Sequence, residues 1–200
     1  MQQANRVDIR PLHAHDLSAV LAIQLCCHDA ARQESAQSFD VKRQASPASC
    51  LIASLDGRSV GYLVAIPVKA GQPPPLNGAT CPVPPDADAL YLHDLAVHPD
   101  ARGAGVAVAL VRAFFDVLGR QGFSQACLTA VNGSTAFWQR QGFRDAAPDA
   151  AAAGGLASYG DGAQYMSLLL QRQIQEPATR HRGFGGGAEP RPVRHSAPCH

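Results

Sequence analysis

The sequence predicts an α+β fold in which helices flank a central β-sheet. The chain has 200 residues, of which 46% are apolar, and this is enough for one well-filled core. Two apolar, β-branched runs are separated by an Asp-Gly step, which is the signal of a β-hairpin. A third apolar run leads through a glycine-bearing loop into a long amphipathic helix pattern. Together these features predict one domain that combines a sheet with helices.

The N-terminal quarter predicts one strand followed by one or two helices. Val7 to Arg10 has the pattern of a short strand. Asp16 offers an N-cap for a first helix, whose apolar residues recur at helical spacing and which ends near Asp29. Residues 30–49 are polar and only weakly periodic, which indicates a second helix or a mobile loop.

The next two strands form the predicted hairpin. The runs Cys50–Leu55 and Val60–Val68 flank the turn at residues 56–59. After the hairpin, residues 69–88 contain six prolines and little apolar periodicity. Because proline removes the N–H donor that a central strand needs, we interpret this segment as a long surface loop.

The second half of the chain predicts three further strands and two helices. Val106 to Leu118 places apolar residues on one helical face, and Gly119 and Gly122 are expected to end this helix. Gly142 caps a shorter helix over residues 134–141. The three predicted strands are Leu90–Val97, Cys127–Val131 and Ala163–Leu170.

The end of the chain differs in composition from the rest. From Gln171 onward it is rich in arginine, proline and glycine. Such a segment buries little apolar surface, so residues 173–200 are expected to be a disordered tail. We therefore predict one domain over residues 1–172, followed by this tail.

Charge and cysteine usage exclude several classes of partner. Charged residues make up only 16% of the chain and the formal net charge is +1, so neither nucleic acid nor an anionic membrane surface is expected as a partner. Residues 1–6 lack an apolar signal core, and no apolar run approaches the ~20 residues that cross a bilayer. The six cysteines form no C-x-x-C pair. We expect a cytoplasmic protein with reduced thiols and no metal site.

Residues 89–107 have the character of a phosphate-binding junction. A buried-type strand ends in a short loop that carries Gly103 and Gly105, and a helix pattern follows at once. The first N–H groups of a helix have no intrahelical partners and lie at the positive end of its dipole, so a pyrophosphate can bind several of them together. Glycine allows the backbone to approach the ligand closely and to adopt positive φ.

Two motifs in this region carry a resemblance to a known family. Arg102 to Ala107 reads Arg-Gly-Ala-Gly-Val-Ala, and Asn132 to Phe143 reads as an Asn, small residues, an aromatic pair and a final Gly-Phe. In this order and at this spacing, the two segments resemble the acetyl-coenzyme A signature of the GCN5-related N-acetyltransferase (GNAT) family. The specific motifs occupy residues 89–143.

The resemblance implies a fold, a co-substrate and a set of binding residues. The fold is a mixed sheet of six to seven strands flanked by about four helices. The co-substrate is acetyl-CoA. The residues that would contact it are Leu95, Ala96, Val97, Arg102, Gly103, Ala104, Gly105, Val106, Ala107, Asn132, Ser134, Phe137 and Trp138.

Acetyl transfer to an amine needs a group that removes or binds the ammonium proton, because an amine with a pKa near ~10.4 is almost fully cationic at neutral pH. His93 and Asp94 are the titratable pair beside the loop. We predict that Asp94, His93 and Tyr91 form the catalytic group, with Asp94 favoured as base or cation anchor. The alternative for each is a structural role, with Asp94 bound to loop N–H groups and His93 packed at the edge of the core.

The facing of this pair is left open by the sequence. Neighbouring strand residues face opposite sides unless a bulge intervenes, and the fourth strand of the resembled family usually carries a bulge near this point. The resemblance also implies that a main-chain N–H of Ala96 or Val97 stabilises the oxyanion.

The sequence departs from the family at the position of the general acid. Many members carry a tyrosine on the helix after strand five that protonates the leaving thiolate, but this chain has Trp138, whose indole N–H does not readily give up its proton. Because a thiol has a pKa near ~8.5, leaving as thiolate at pH 7 costs only about 2 kcal/mol. We therefore expect slower turnover rather than none. The remaining candidate donors are water, Ser134, Tyr159 and Tyr165.

The main hypothesis is an N-acetyltransferase that acts on the primary amine of a small molecule or, as the second choice, on a peptide N-terminus. The acetyl group would move by direct attack in a ternary complex. Residues 30–49 and 69–88 are expected to form the acceptor pocket, and a homodimer is left open. A dinucleotide-binding oxidoreductase would need Gly or Ala at Val108 and an acidic residue within 121–131, and the chain has neither. A non-catalytic acyl-CoA sensor of the same fold remains the serious alternative.

Overall fold

Seven strands form one mixed sheet in the part of the chain that the computed structural model describes, residues 6–170. In chain order they are β1 (Asp8–Pro11), β2 (Leu51–Leu55), β3 (Arg58–Val68), β4 (Ala89–Val97), β5 (Gln125–Ala130), β6 (Arg144–Asp145) and β7 (Gln164–Leu169). Their order across the sheet is β1-β2-β3-β4-β5-β7-β6. Only β4 and β5 run parallel within these residues; the other neighbours are antiparallel.

The helices cover both faces of the sheet. They are α1 (Leu17–Cys27), α2 (Ala36–Ala45), α3 (Val106–Arg120), α4 (Thr135–Arg140) and α5 (Ala153–Ala157). The apolar side of α3 is fully buried at Leu110, Phe114 and Leu118 and packs on one face. Val20 of α1 and Phe39 of α2 are buried in a second cluster on the opposite face. The predicted α+β fold, with six to seven strands in a mixed sheet, is confirmed.

The predicted hairpin is confirmed, and its turn explains the Asp-Gly step. Asp56 and Gly57 have φ values of 50° and 77°, as the turn of a two-residue hairpin requires. The segment after it, residues 69–88, contains no strand. We call this segment the Pro-rich loop.

The structure corrects two predicted helix ends. Asp16 does not cap α1, because its carboxylate accepts hydrogen bonds from both Arg10 guanidinium nitrogens at 2.7 Å and from the His13 N–H at 2.8 Å. Gly119 lies inside α3, which continues to Arg120. Gly122 follows with a φ of 80°, the left-handed conformation that commonly ends a helix.

The sequence also missed two short elements, β6 and α5. The predicted tail at residues 173–200 lies outside the described residues. Within residues 6–170, no helix combines the length and apolar character needed to span a bilayer.

A bulge in β4 determines which side chains share a face. Along β3, Val64 pairs with Asp94 and the next residue, Ala65, pairs with Leu92, so the ladder skips His93. An extra residue places two successive side chains on one face. Leu92 packs in the cluster beneath α3, whereas His93 and Asp94 both face the side of α1 and α2. This answers the question that the sequence left open.

The parallel pairing of β4 with β5 is short. It covers three residue pairs and ends at Leu92 and Leu128. Beyond this point the two strands separate. His93 and Thr129 are the first residues after the separation, one on each strand.

Candidate active site

A cavity of about 330 Å³ lies where β4 and β5 separate. A pocket of this size suits part of a cofactor or a small ligand. Its walls come from the ends of β4 and β5, the C-terminal end of α1, α4 and the Pro-rich loop. The lining residues are Cys27, His28, Arg32, Glu34, Leu76, Leu92, His93, Asp94, Leu95, Ala96, Val97, Arg102, Ala107, Leu128, Thr129, Val131, Asn132, Ser134, Phe137, Trp138 and Tyr159.

The loop between β4 and α3 presents unpaired backbone N–H groups. Gly103 and Gly105 have φ values of 79° and 78°, a left-handed conformation that favours glycine. The N–H groups of Gly105, Val106 and Ala107 have no acceptor among residues 6–170, and neither has that of Gly103. This is the arrangement that binds a phosphate at a helix N-terminus.

Two of the predicted amides are already used by the protein. The N–H of Arg102 donates to Pro99 O at 3.1 Å, and that of Ala104 donates to Ala101 O at 3.4 Å. These two groups close the turn before α3. The phosphate-binding prediction is therefore narrowed to the other amides of the loop.

The predicted coenzyme residues fall into two groups. Nine of them line the cavity: Leu95, Ala96, Val97, Arg102, Ala107, Asn132, Ser134, Phe137 and Trp138. The other four, Gly103, Ala104, Gly105 and Val106, lie outside the lining. Val106 is 1% exposed and its side chain belongs to the core beneath α3, so its side chain is not available to a ligand.

The ladder distinguishes between the two predicted oxyanion donors. His98 donates its N–H to Val60 O across β3 at 2.8 Å. N–H groups alternate in direction along a strand, so the N–H of Ala96 also points to β3. The N–H of Val97 points to the opposite edge, toward the gap between β4 and β5. Val97 is the donor that the geometry favours.

Asp94 lines the cavity and is held by two groups from other elements. Its Oδ1 lies 3.0 Å from His28 Nε2, and its Oδ2 accepts a hydrogen bond from the Tyr62 hydroxyl at 2.6 Å. Burial lowers the pKa of His28, but the hydrogen bond and charge of Asp94 outweigh it, so this pKa is raised. Nδ1 of His28 is buried and has no hydrogen-bond partner among the described residues. No sequence pattern had indicated His28.

His93 is paired with a buried carboxylate that the sequence analysis did not assign to the site. Its Nε2 lies 2.7 Å from Glu34 Oε1. The oxygens of Glu34 lie 2.6–2.8 Å from four groups: His93 Nε2, Lys42 Nζ, Ser38 Oγ and the Asn77 N–H. Burial raises the pKa of Glu34, but the charges and hydrogen bonds of His93 and Lys42 outweigh it, and the pKa lies well below its usual range.

Tyr91, which the sequence predicts as part of the catalytic group with Asp94 and His93, does not line the cavity. It is fully buried, and its hydroxyl lies 2.7 Å from Thr129 Oγ1 and 3.1 Å from the Tyr159 hydroxyl. Thr129 and Tyr159 do line the cavity. Burial raises the pKa of both tyrosines, so each remains a neutral hydroxyl.

The candidate proton donors differ in position. Trp138 and Ser134 line the cavity, and Trp138 packs edge-on against Phe137 and Phe143. Tyr165 does not line it: its hydroxyl accepts the Gly71 N–H at 2.9 Å, and its ring packs in a buried cluster with Tyr91 and Tyr159.

Comparison with known proteins gives one family and many similar structures. A sequence model of the family described as "Acetyltransferase (GNAT) family" matches residues 17–143. No curated protein sequence matches the chain.

Three solved structures illustrate the similarity. Ard1 from Thermoplasma volcanium is 17% identical, with a TM-score of 0.61, over 82% of this chain and 98% of that chain. A GNAT family acetyltransferase from Brucella melitensis in complex with acetyl-CoA is 18% identical, with a TM-score of 0.56, over 84% and 90%. The GNAT-like decarboxylase GphF in complex with isobutyryl-CoA is 17% identical, with a TM-score of 0.64, over 82% and 100%.

At these identities the solved structures establish the fold alone. The family match covers more than half of the chain and includes both motifs on which the resemblance was based. The chain belongs to the GNAT acetyltransferase family.

Proposed function

We propose that the protein transfers an acetyl group from acetyl-CoA to the primary amine of a small molecule, by direct attack in a ternary complex. One observation carries this proposal. A single cavity has the N-terminal end of α3, with its unpaired backbone amides, near one end, and the ionisable pairs Asp94–His28 and His93–Glu34 in its wall. One cavity therefore offers both groups that could bind phosphate and groups that could exchange a proton with an amine.

The coenzyme would be held mainly by backbone. The N–H groups of Gly105, Val106 and Ala107 would bind its diphosphate, with Arg102 beside them as a cation. Asn132 and Phe137 also line the cavity and would contact the rest of the coenzyme. The structure of the Brucella melitensis relative contains acetyl-CoA, which supports this choice of co-substrate.

The amine would bind beside Asp94. A carboxylate held in place by two neighbours is suited to anchor a cation, and His28 lies within hydrogen-bond distance of it to share the proton that the amine gives up. The Val97 N–H would stabilise the oxyanion that forms when the amine attacks the thioester carbon.

A small acceptor is favoured over a peptide by the way the Pro-rich loop is held. Leu76 donates its N–H to Ser158 Oγ at 3.0 Å, and Asn77 donates its N–H to Glu34 Oε2 at 2.6 Å. Tyr159 donates its hydroxyl to Pro74 O at 3.1 Å. Three bonds from two segments, one that contains Glu34 and one that contains Ser158 and Tyr159, hold this loop beside the proposed acceptor end of the cavity, where an extended peptide would need room.

The test is an acyl-transfer assay on the full chain. Acetyl-CoA is offered with a panel of small primary amines and short peptides, and the release of free thiol and the acylated product are measured. Isobutyryl-CoA serves as a second donor. Thiol release with a small amine, and little with peptides, is expected.

Two results would contradict the proposal. If coenzyme A raises the unfolding temperature but no amine releases thiol, the protein is a binding module for acyl-CoA. If coenzyme A changes nothing, the assignment of the loop is wrong.

A further inference from the structure

Arg32 is a cation in the wall of the cavity to which neither coenzyme binding nor proton transfer assigns a role. Among residues 6–170, the lining contains two arginines and no lysine. Arg102 lies in the loop before α3, at the proposed coenzyme end. Arg32 lies between α1 and α2, at the end of the short helical turn Ala30–Arg32, and its side chain is 21% exposed. Its charge is therefore partly removed from solvent.

Two hydrogen bonds hold the Arg32 guanidinium in place. Nε donates to Tyr159 O at 3.2 Å, and Nη1 donates to Oδ2 of Asp29. The third nitrogen, Nη2, has no hydrogen-bond partner within the described part of the chain. A guanidinium carries five N–H donors in a rigid fork. Arg32 therefore keeps donors for a ligand while its other bonds fix the plane of the group.

Tyr159 connects Arg32 with the residues beside Asp94. Its carbonyl oxygen accepts the bond from Arg32, and its hydroxyl lies 3.1 Å from Nδ1 of His93, the neighbour of Asp94 on β4. Arg32 and His93 thus contact opposite ends of one tyrosine. Burial and Asp94 have the largest effects on the pKa of His28, and the charge of Arg32 also acts on it and lowers it. Arg32 therefore lies within electrostatic range of the groups that would bind the amine.

Arg32 differs from the buried cation Lys42 in how its charge is compensated. Lys42 Nζ lies 2.7 Å from Glu34 Oε2, and both side chains are buried. Asp29, the partner of Arg32, is 54% exposed. An ion pair with such an exposed member contributes little, because water screens it. An anion of a ligand can therefore bind Arg32 without breaking a buried ion pair.

We propose that Arg32 binds a carboxylate of the acceptor, so that the substrate is a small amino acid with its primary amine at Asp94 and its carboxylate at Arg32. This inference rests on the proposed function and deepens it, because it names the chemical class of the amine. A guanidinium fork matches the two oxygens of a carboxylate. Two charges of opposite sign in one cavity would orient the acceptor. Arg32 determines specificity and takes no part in proton transfer.

The carboxylate distinguishes amino acids from two other classes of amine. An alkylamine offers Arg32 no anion, and the first residue of a peptide has an amide where an amino acid has its α-carboxylate. Each lacks one hydrogen bond between charged groups, which corresponds to about a 10-fold difference in affinity at the lower end of measured values. We expect amino acids to be the best acceptors, with their amides and the corresponding alkylamines well behind.

The first experiment compares acceptors on the unaltered full chain with acetyl-CoA as donor. The panel contains α-amino acids and ω-amino acids of increasing chain length, each with its carboxamide and its decarboxylated amine. Free thiol and the acylated product are measured at equal concentrations of neutral amine, because the carboxylate changes the pKa of the amine. The KM of the best amino acid should be about 10-fold lower than that of its amide, with similar kcat.

The second experiment repeats the comparison with Arg32→Met and a matched control. Arg32→Met should raise the KM of the amino acid to that of its amide and should leave the KM of the amide within about twofold. Arg43→Met is the control. Arg43 pairs with Asp40 three residues earlier and its side chain is 19% exposed, as in the Arg32 pair, but Arg43 does not line the cavity. Both KM values should stay unchanged in the control.

Asp29→Asn should have the opposite effect. Asp29 Oδ1 accepts the backbone N–H of Arg32 at 3.2 Å, and an asparagine oxygen can keep this cap. Loss of the competing charge should lower the KM of the amino acid about twofold, in keeping with a screened pair. A purely structural role of Arg32 predicts no such decrease. If Arg32→Met does not fold, the acceptor panel on the unaltered protein and Asp29→Asn decide.

Equal KM values for amino acids and their amides would overturn the carboxylate site. An Arg32→Met variant that raises both KM values by the same factor would overturn it as well. Thiol release with alkylamines but without preference for a carboxylate would refute this inference and leave the proposed function standing. If no amine of any class releases thiol, the proposed function fails first, and the carboxylate site fails with it.

Discussion

The two ends of the cavity differ in the groups that they present: backbone N–H groups at one end and side chains at the other. At the proposed coenzyme end, the loop offers the free backbone N–H groups of Gly103, Gly105, Val106 and Ala107, and its two glycines have positive φ values. At the proposed acceptor end, hydrogen bonds join the side chains of Glu34 before α2, His93 on β4 and Tyr159 after α5. The first end is local in sequence, whereas the second joins residues 59 and 66 positions apart.

This difference predicts different responses to mutation. A site made of backbone should fail when the backbone is deformed and should tolerate most other changes. A site made of interlocked side chains should lose stability and catalysis together. Four substitutions test the contrast.

The largest effect is expected from Gly105→Glu. A side chain at a φ of 78° is strained, and a carboxylate there repels the diphosphate. At 100 times the dissociation constant of the unaltered protein, coenzyme A should stabilise that protein by about 2.7 kcal/mol and the variant not at all. Thermal unfolding with and without coenzyme A measures this.

Gly57→Glu is the matched control for that substitution. Gly57 has a φ of 77° and lies in the turn between β2 and β3. The control carries the same strain and charge, but it should keep the full coenzyme-induced shift. If both variants lost the shift, backbone strain rather than the loss of phosphate-binding amides would be responsible.

The second-largest effect is expected from Glu34→Gln. The Glu34 and Lys42 side chains are 2% and 4% exposed, and breaking a buried pair by removing one partner costs roughly 3–5 kcal/mol. Denaturant unfolding at pH 7 measures this loss. A second substitution, Lys42→Met, should recover part of it, because the unpaired charge is then removed.

The pH dependence of that loss has a definite sign. The pKa of Glu34 is lowered by folding, so its contribution to stability is complete above the ordinary carboxyl range and is lost as the pH falls through and below it. The difference in unfolding free energy between the unaltered protein and Glu34→Gln should therefore shrink on acidification. A difference that stayed constant from pH 7 to pH 3 would contradict the ion pairs.

The third-largest effect is expected from Asp94→Asn. The substitution keeps the shape but removes the charge that anchors the amine, so turnover should fall about 100-fold, in the range of general acid–base effects. Coenzyme binding should persist, because Asp94 lies outside the loop. Equal activity of variant and parent across the pH range would exclude Asp94 as base.

The smallest effect is expected from Gly119→Ala. Gly119 lies inside α3, and an added Cβ meets nothing within 4 Å. Replacing a helix-interior glycine by alanine should stabilise the protein by about 0.5–1 kcal/mol without changing activity. Gly122→Ala should destabilise it instead, because Gly122 has a φ of 80°.

The same contrast explains what the sequence could predict. The hairpin, the long helix and the glycine-bearing loop before it follow from periodicity, turn residues and a local motif, and the structure has all three at the predicted positions. The Asp16 cap was wrong because Arg10, six residues away, competes for its carboxylate. The capping pattern considers only the residues at the start of the helix, so it cannot show that Arg10 binds this carboxylate.

The proposed acceptor end could be predicted from the sequence only in part. His93 and Asp94 were found because they lie beside the loop, but the roles of Glu34 and His28 depend on contacts 59 and 66 residues away in the chain. The polar segment 30–49 gave no sign that Glu34 is buried. Which distant polar side chains pair is decided by how the helices and strands pack together. The hydrophobic periodicity of the sequence does not show this packing.

The bulge at His93 means that β4 has one residue more than its neighbour requires. Deleting His93 would make the pairing of β3 with β4 continuous, and all remaining side chains of β4 would stay on their present faces. The sheet should therefore survive without this residue, while the hydrogen bonds from His93 to Glu34 and Tyr159 would be lost. The residue that pairs with Glu34 is therefore one that the pairing of β3 with β4 does not need.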